Sequence, residues 1–187
     1  MSDRMQPLRR IFPVKEGLVA AALLGASLSL ATPATACTPV AGQIAFCPEG
    51  TVWADMRGQN YAGVMVWEGE EMFLEFNPAL SAAAPDGPLA AALDGLLAVV
   101  MAEEAAADVV IETLLRDSFE AGSVTSERLI MQIEEQGETY LAAMMLSEFD
   151  GGARLGWSLG SLDGMDFESL QALSEATAAG LRLSGGD

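Results

Sequence analysis

Two of the groups that most often carry enzyme chemistry are missing from the part of this chain that should fold. There is no histidine anywhere, and Lys15, close to the N-terminus, is the one lysine. Without imidazole there is no Ser-His or Cys-His nucleophile and no His-ligated zinc, and without a lysine in the folded part there is no Schiff base or P-loop. Carboxylates remain. Glu70-Glu71, Glu103-Glu104 and Glu134-Glu135 are adjacent pairs that could supply an acid and a base. Neighbours on a strand point to opposite faces, however, and turns and helix surfaces are solvated, so no catalytic residue is assigned to them. Asp163-Gly164-Met165-Asp166-Phe167-Glu168 sets three carboxylates close together, as a calcium loop would. It has no glycine at the sixth position and no further oxygen ligand in register, so helix capping is the expected role and no metal or other cofactor is predicted. The eight methionines beyond the leader, Met131, Met144 and Met145 among them, sit on apolar patterns and read as core filling.

Two cysteines complete the chemical inventory, Cys37 and Cys47. Their meaning depends on what precedes them. Arg4, Arg9, Arg10 and Lys15 form a positive start, Leu18 to Leu30 is an apolar run, and Ala34-Thr35-Ala36 is an A-x-A cleavage site. Residues 1–36 are therefore read as a signal peptide cut between Ala36 and Cys37, the apolar run being shorter than the roughly 20 residues a spanning helix needs. Arg9-Arg10-Ile11-Phe12 resembles the core of a twin-arginine signal, with Pro13 and Val14 departing from the usual continuation. The expected location is the periplasm or the exterior. In an exported chain, two cysteines at this spacing predict one disulfide. The alternative is a lipid on Cys37 as the first mature residue, which would make the protein a membrane-anchored envelope component; Ala34 stands where lipoprotein sites usually have leucine.

Removing the leader also sharpens the charge. The chain has 9 basic and 27 acidic residues, of which the leader takes four (Arg4, Arg9, Arg10, Lys15) and two (Asp3, Glu16), leaving 5 and 25 and a net charge of −20. Such a body repels phosphate backbones and anionic lipid, so no nucleic acid and, without a lipid on Cys37, no membrane is expected as a partner. A protein partner is compatible with it.

The elements that must position these residues belong to one domain, 37–187, of α+β class: an antiparallel sheet made of an N-terminal hairpin and a C-terminal three-stranded meander, covered by a central helical region and a C-terminal helix. Pro88 to Phe119 carries apolar residues at helical spacing, from Leu89, Leu93, Leu96 and Leu97 to Val110, Ile111, Leu114 and Leu115, with Asp86 as the expected N-cap. One helix of this length would run roughly 45–50 Å at about 1.5 Å per residue, longer than a domain of this size is wide, so a break into two helices is expected at Glu103 to Asp108. Before it, Thr51-Val52-Trp53 is a candidate strand, Arg57 to Asn60 a loop, Tyr61 to Trp67 and Glu71 to Phe76 a hairpin, and Ser81 to Gly87 a connector. Trp67 and Phe73, near the hairpin tip, are the candidate outward-facing partner contacts. After it, Leu129, Met131 and Ile133 alternate with Arg128, Gln132 and Glu134, Tyr140 to Phe149 returns, and Leu155, Trp157 and Leu159 alternate with small residues that leave one face bare. Asp163 or Asp166 then caps a helix whose inward side runs Phe167, Leu170, Leu173, Thr177 and Leu181.

A turn at Pro48-Glu49-Gly50 with Trp53 nearby, a hairpin from Val64 to Phe76, a helix, a meander turning at Gly137 and Gly151, and a closing helix near Phe167 together resemble the PsbP-like family over nearly all of 37–187. Trp53 stands three residues after Gly50, where that family often has Trp directly after the glycine, and the central region is longer than usual. The resemblance implies a non-enzymatic protein acting through its surface and carries over no functional residue. The expected function is an exported protein-binding domain; the alternatives are the lipid-anchored envelope component and an exported enzyme relying on carboxylates.

Overall fold

Long runs of period-two sequence dominate the second half of the chain, and in the computed structural model they form the sheet around which everything else packs. It describes residues 37–69, 72–84, 86–104, 109–135, 137–161 and 165–184. In chain order the elements are β1 (Thr38–Ala41), β2 (Ile44–Phe46), β3 (Gln59–Tyr61), β4 (Val64–Glu68), β5 (Met72–Phe76), α1 (Pro78–Ala83) and α2 (Leu89–Glu104). They continue with β6 (Val110–Ala121), β7 (Val124–Glu135), β8 (Glu138–Phe149), β9 (Arg154–Ser161), α3 (Phe167–Ala178) and β10 (Leu181–Leu183). The fold is α+β, with a seven-stranded antiparallel sheet in the order β3-β4-β5-β9-β8-β7-β6 and a three-stranded sheet in the order β1-β2-β10.

The large sheet is covered on both faces, so its strands bury both sets of side chains. On one face Leu129, Met131 and Ile133 of β7 and Ala142, Met144 and Leu146 of β8 pack with Ala92, Leu93, Leu96 and Val100 of α2. On the other, Ile130, Ala143, Met145 and Trp157 pack with Leu170 and Leu173 of α3 and with Phe46 and Leu181 of the small sheet. Met131, Met144 and Met145 are fully buried, as core filling requires. The bare face of β9 is used rather than empty. A methyl group at Gly156 would lie 2.5 Å from Leu80 of α1, and one at Gly160 would run into the Phe73 ring, so the missing side chains are the space into which helix and ring settle.

Several expectations are corrected. The central region holds one helix, not two: α2 ends at Glu104, and Val110–Ala121 is a strand. Leu114 is the extra residue of a bulge, where the register with β7 slips between Thr113 and Leu115. Apolar residues at 110, 111, 114 and 115 thus copied helical spacing, while the β-branched Val109, Val110, Ile111 and Thr113 suit a strand. The meander consequently has four strands, and the N-terminal hairpin joins it through β5 against β9. Tyr61 to Trp67 is interrupted by a tight turn at Ala62 and Gly63 (φ 54° and 96°), the positive pair that a two-residue hairpin loop demands, so Gln59–Tyr61 is a strand and not loop. Thr51 to Trp53 forms successive turns, with Thr51 N–H donating to Pro48 O (2.9 Å) and Ala54 N–H to Thr51 O (3.2 Å). The connector begins inside α1, whose N-cap Asn77 accepts from Ala79 N–H (3.0 Å). Pro88 O accepts from Ala92 N–H (3.0 Å) at the start of α2, leaving Asp86 ahead of the cap. Leu181 belongs to β10, because the chain turns at Gly180 and pairs back on β2.

The small sheet ties the two ends of the domain together. β2 is its middle strand, with β1 on one side and β10 on the other. Cys37 and Cys47 flank the β1–β2 pair with their sulfurs at disulfide distance, 1.96 Å, and Cys47 N–H donates to Gly180 O (2.8 Å). Beneath it, Phe46, Trp67 and Phe76 meet with centroids 5.1–5.5 Å apart, and Trp157 lies 5.9 Å from Phe76. Trp53 is buried and its Nε1–H donates to Thr177 Oγ1 (2.9 Å), fastening the turn region to α3.

Candidate functional site

The residues singled out from the sequence do not gather. Trp67 and Phe73 do not face outward: they are 1% and 7% exposed. Trp67 stands edge-on to Phe46 and Phe76, and Phe73 lies over Gly160, because both faces of the strands that carry them are covered. Glu134 is exposed and Glu135 buried, as opposite faces of one strand require, and Glu135 accepts from the Tyr140 hydroxyl (3.4 Å). Glu70, Glu71, Asp163, Gly164, the side chains of Glu103 and Glu104, and Ala36 at the cleavage site lie outside the described residues. Asp166 caps α3: its Oδ1 accepts from Ser169 N–H (2.7 Å), and that backbone bond holds its carboxyl below the usual carboxylate range. Among the described residues no three of His, Cys, Asp and Glu are placed to hold a metal ion, and no helix is long and apolar enough to cross a membrane.

What the structure does bring together is a set of charged side chains around β6, the strand at one end of the large sheet. Among the described residues nothing pairs with its outer side. Consecutive residues on a strand point to opposite faces, and here Arg116 reaches α2 directly while Asp117 is tied to α3 through Arg128. Arg116 Nη1 lies 2.5 Å from Asp94 Oδ1, and its Nη2 donates to Ala90 O (2.9 Å), both on α2. Asp117 takes two bonds from Arg128, opposite it on β7: Nε to Oδ1 at 2.9 Å and Nη2 to Oδ2 at 2.5 Å, the fork geometry that suits guanidinium and carboxylate.

Arg128 carries the connection on to α3. Its side chain is fully buried, and Nη1 donates to Gln171 O (3.0 Å) and Ser174 Oγ (2.7 Å) and meets Glu175 Oε1 at 3.2 Å. The guanidinium carbon stands 4.6 Å from the centre of the Phe119 ring. A buried cation is tolerated only when paired and hydrogen-bonded, and every nitrogen of this guanidinium has an acceptor. β6 is therefore clamped to both covering layers at adjacent residues. The sequence reading missed this group because Arg128 alternates with apolar residues and so passed as solvent-facing, while Asp117 was assigned to a helix. The available signal was the turn at Gly122: folding the chain back there sets Asp117 opposite Arg128.

The outer rim of β6 combines apolar and acidic groups. Val110 is 62% and Leu114 40% exposed, and Glu112 and Glu120 are exposed along the same strand. Glu127, opposite Ser118 on β7, has its carboxyl raised by burial; Arg116 opposes this, while Asp117 and Asp94 add to it. Of the five arginines in 37–187, Arg116, Arg128 and Arg154 are in ion pairs and Arg182 donates to the Ala179 and Leu181 carbonyls, against 25 acidic residues in the same span. No protein-family model and no curated protein matches this chain.

Proposed function

We propose that residues 37–187 are an exported, non-enzymatic domain of PsbP-like architecture that binds a protein partner along the open edge of β6. The observation that carries this reading is the edge itself: twelve residues of strand, unpaired on the outside among the described residues and fixed on both faces by Arg116 and Asp117. An edge strand offers a row of N–H and C=O groups, and adding a strand from another chain satisfies them all at once. Because β6 is already anchored, little further ordering opposes the addition. Export is supported by the charged and apolar start, the Ala34-Thr35-Ala36 site and the disulfide distance between Cys37 and Cys47. The same distance favours a disulfide over a lipid on Cys37, since a sulfur alkylated by diacylglycerol cannot also bond Cys47.

The test is recovery of the native protein from its own envelope fraction after mild cross-linking, with peptide mapping of the linked residues. Links concentrated on 110–121 support the reading; links elsewhere, or turnover of a substrate that depends on surface carboxylates, refute it. Intact mass of the same sample should give a chain starting at Cys37 without lipid.

A further inference from the structure

If a partner adds a strand to β6, as proposed, the edge itself specifies the chemistry of that strand. Resting on that strand addition, we infer that β6 takes an extended, cationic segment that carries lysine or arginine together with apolar residues. Three observations converge on it. The exposed Val110 and Glu112 share one face of β6 and the exposed Glu120 lies on the other, past the bulge at Leu114, so a strand laid alongside would meet apolar and acidic side chains on the first face and a carboxylate on the second. The one cation on β6, Arg116, is held by Asp94 and the Ala90 carbonyl of α2, so it offers an incoming carboxylate little. The body behind the edge carries a net charge of −20 once the leader is removed, which draws a basic segment in and raises its rate of encounter.

The same features argue against a second copy as the occupant. Pairing β6 with β6 would bring two such bodies together and set the carboxylates of one edge against those of the other. The bulge at Leu114 also breaks the regular register that two identical long edges need in order to pair along their whole length.

The experiment uses the native exported protein and three capped eight-residue peptides: Lys-Val repeats, Lys-Pro repeats and Glu-Val repeats. Lys-Pro keeps the charge and removes the strand; Glu-Val keeps the strand and reverses the charge. Affinity is measured by calorimetry and the site by hydrogen exchange. Lys-Val should bind about tenfold or more tighter than either control, and should slow exchange at 110–121. The double variant Glu112→Lys/Glu120→Lys should lose about tenfold in Lys-Val affinity, whereas Glu49→Lys/Asp55→Lys, with the same change in net charge at exposed positions off the edge, should lose less than about threefold. Equal binding of Lys-Pro, or equal losses in the two variants, would mean diffuse attraction and overturn the inference. Equal or tighter binding of Glu-Val at 110–121 would overturn the cationic partner while leaving strand addition standing. Protection of 110–121 without peptide, together with a doubled mass in sedimentation, would make the occupant a second copy and overturn the inference on that side. Unslowed exchange at 110–121 with every peptide, combined with cross-links elsewhere on the native complex, would sink both the inference and the reading beneath it.

Discussion

Removing the acid from the Arg128 group should be far more damaging than removing the base, although the two residues share one ion pair. The Arg128 side chain is fully buried, Asp117 is 30% exposed and Glu175 is 48% exposed. Asp117→Ala leaves a buried guanidinium whose remaining counter-charge, Glu175, is half exposed, and breaking a buried pair in this way costs about 3–5 kcal/mol. Arg128→Met removes the buried charge, fills part of its space with an apolar chain and leaves two carboxylates that water can reach. Ser174 keeps its bond to Gln171 O (2.7 Å). The loss is then a set of hydrogen bonds to a charged group, partly offset by apolar burial, about 1–2 kcal/mol. The double variant should resemble Arg128→Met alone, because nothing is left for Asp117 to neutralise, so the coupling energy should equal the Asp117→Ala loss, about 3–5 kcal/mol. Urea unfolding of the three variants at neutral pH measures this directly, provided the slope is unchanged. Strict additivity, or a loss below about 1 kcal/mol for Asp117→Ala, would refute the claim that this cation is held mainly by Asp117.

Three further outcomes are expected. Gly160→Ala should lower the melting temperature by the equivalent of about 1–3 kcal/mol, because its methyl group enters the space of the Phe73 ring between two paired strands. Glu127→Gln should stabilise the protein at neutral pH: burial raises this carboxyl in the folded state, so the folded chain binds the extra proton, and stability falls as pH rises from the ordinary glutamate range through the raised value. Melts of wild type and variant should therefore converge in acid below that range and separate above it; the opposite order would reverse the assigned direction. Reducing the Cys37–Cys47 bond, which spans a sequence separation of 10, should cost about 2–3 kcal/mol in urea unfolding, and peptide mapping should find no free thiol beforehand.

Where large side chains kept one helical face, or glycines marked the turns, the sequence could be read. Leu93, Leu96 and Val100 predict the inward side of α2, Leu170, Leu173 and Thr177 that of α3, and Gly137 and Gly151 mark the turns that separate β7, β8 and β9. Reading failed where both faces are covered or the period is broken. Trp67 and Phe73 alternate on strands that are inside on either side, so alternation could not say which way was out. In β6 the bulge at Leu114 shifted the apolar positions into helical spacing. Arg128 could not be placed inside without first knowing that Asp117 lies across from it, which is a consequence of the strand assignment and not of composition.

The mistaken strand is also where the functional reading rests, and the coincidence has a physical basis. A long open edge invites pairing with any extended chain, and charges and bulges along it are the usual means of preventing indiscriminate association. β6 has both, in Glu112, Glu120 and the extra residue Leu114, and the bulge is what disguised it as a helix. Those devices act selectively. Carboxylates beside an open edge raise the cost of a neutral or acidic strand, including another β6, and lower it for a basic one. The arginines could have neutralised them, but Arg116 and Arg128 are committed to α2, Asp117 and α3, where they hold the strand in place. The positive charge near this edge is thus used for rigidity, and the negative charge is left facing outward. On this account, releasing Arg128 by Asp117→Ala should loosen β6 as well as destabilise the domain. Hydrogen exchange at 110–121 should accelerate more than at β8, and uniform acceleration over the sheet would mean that the clamp acts on global stability alone.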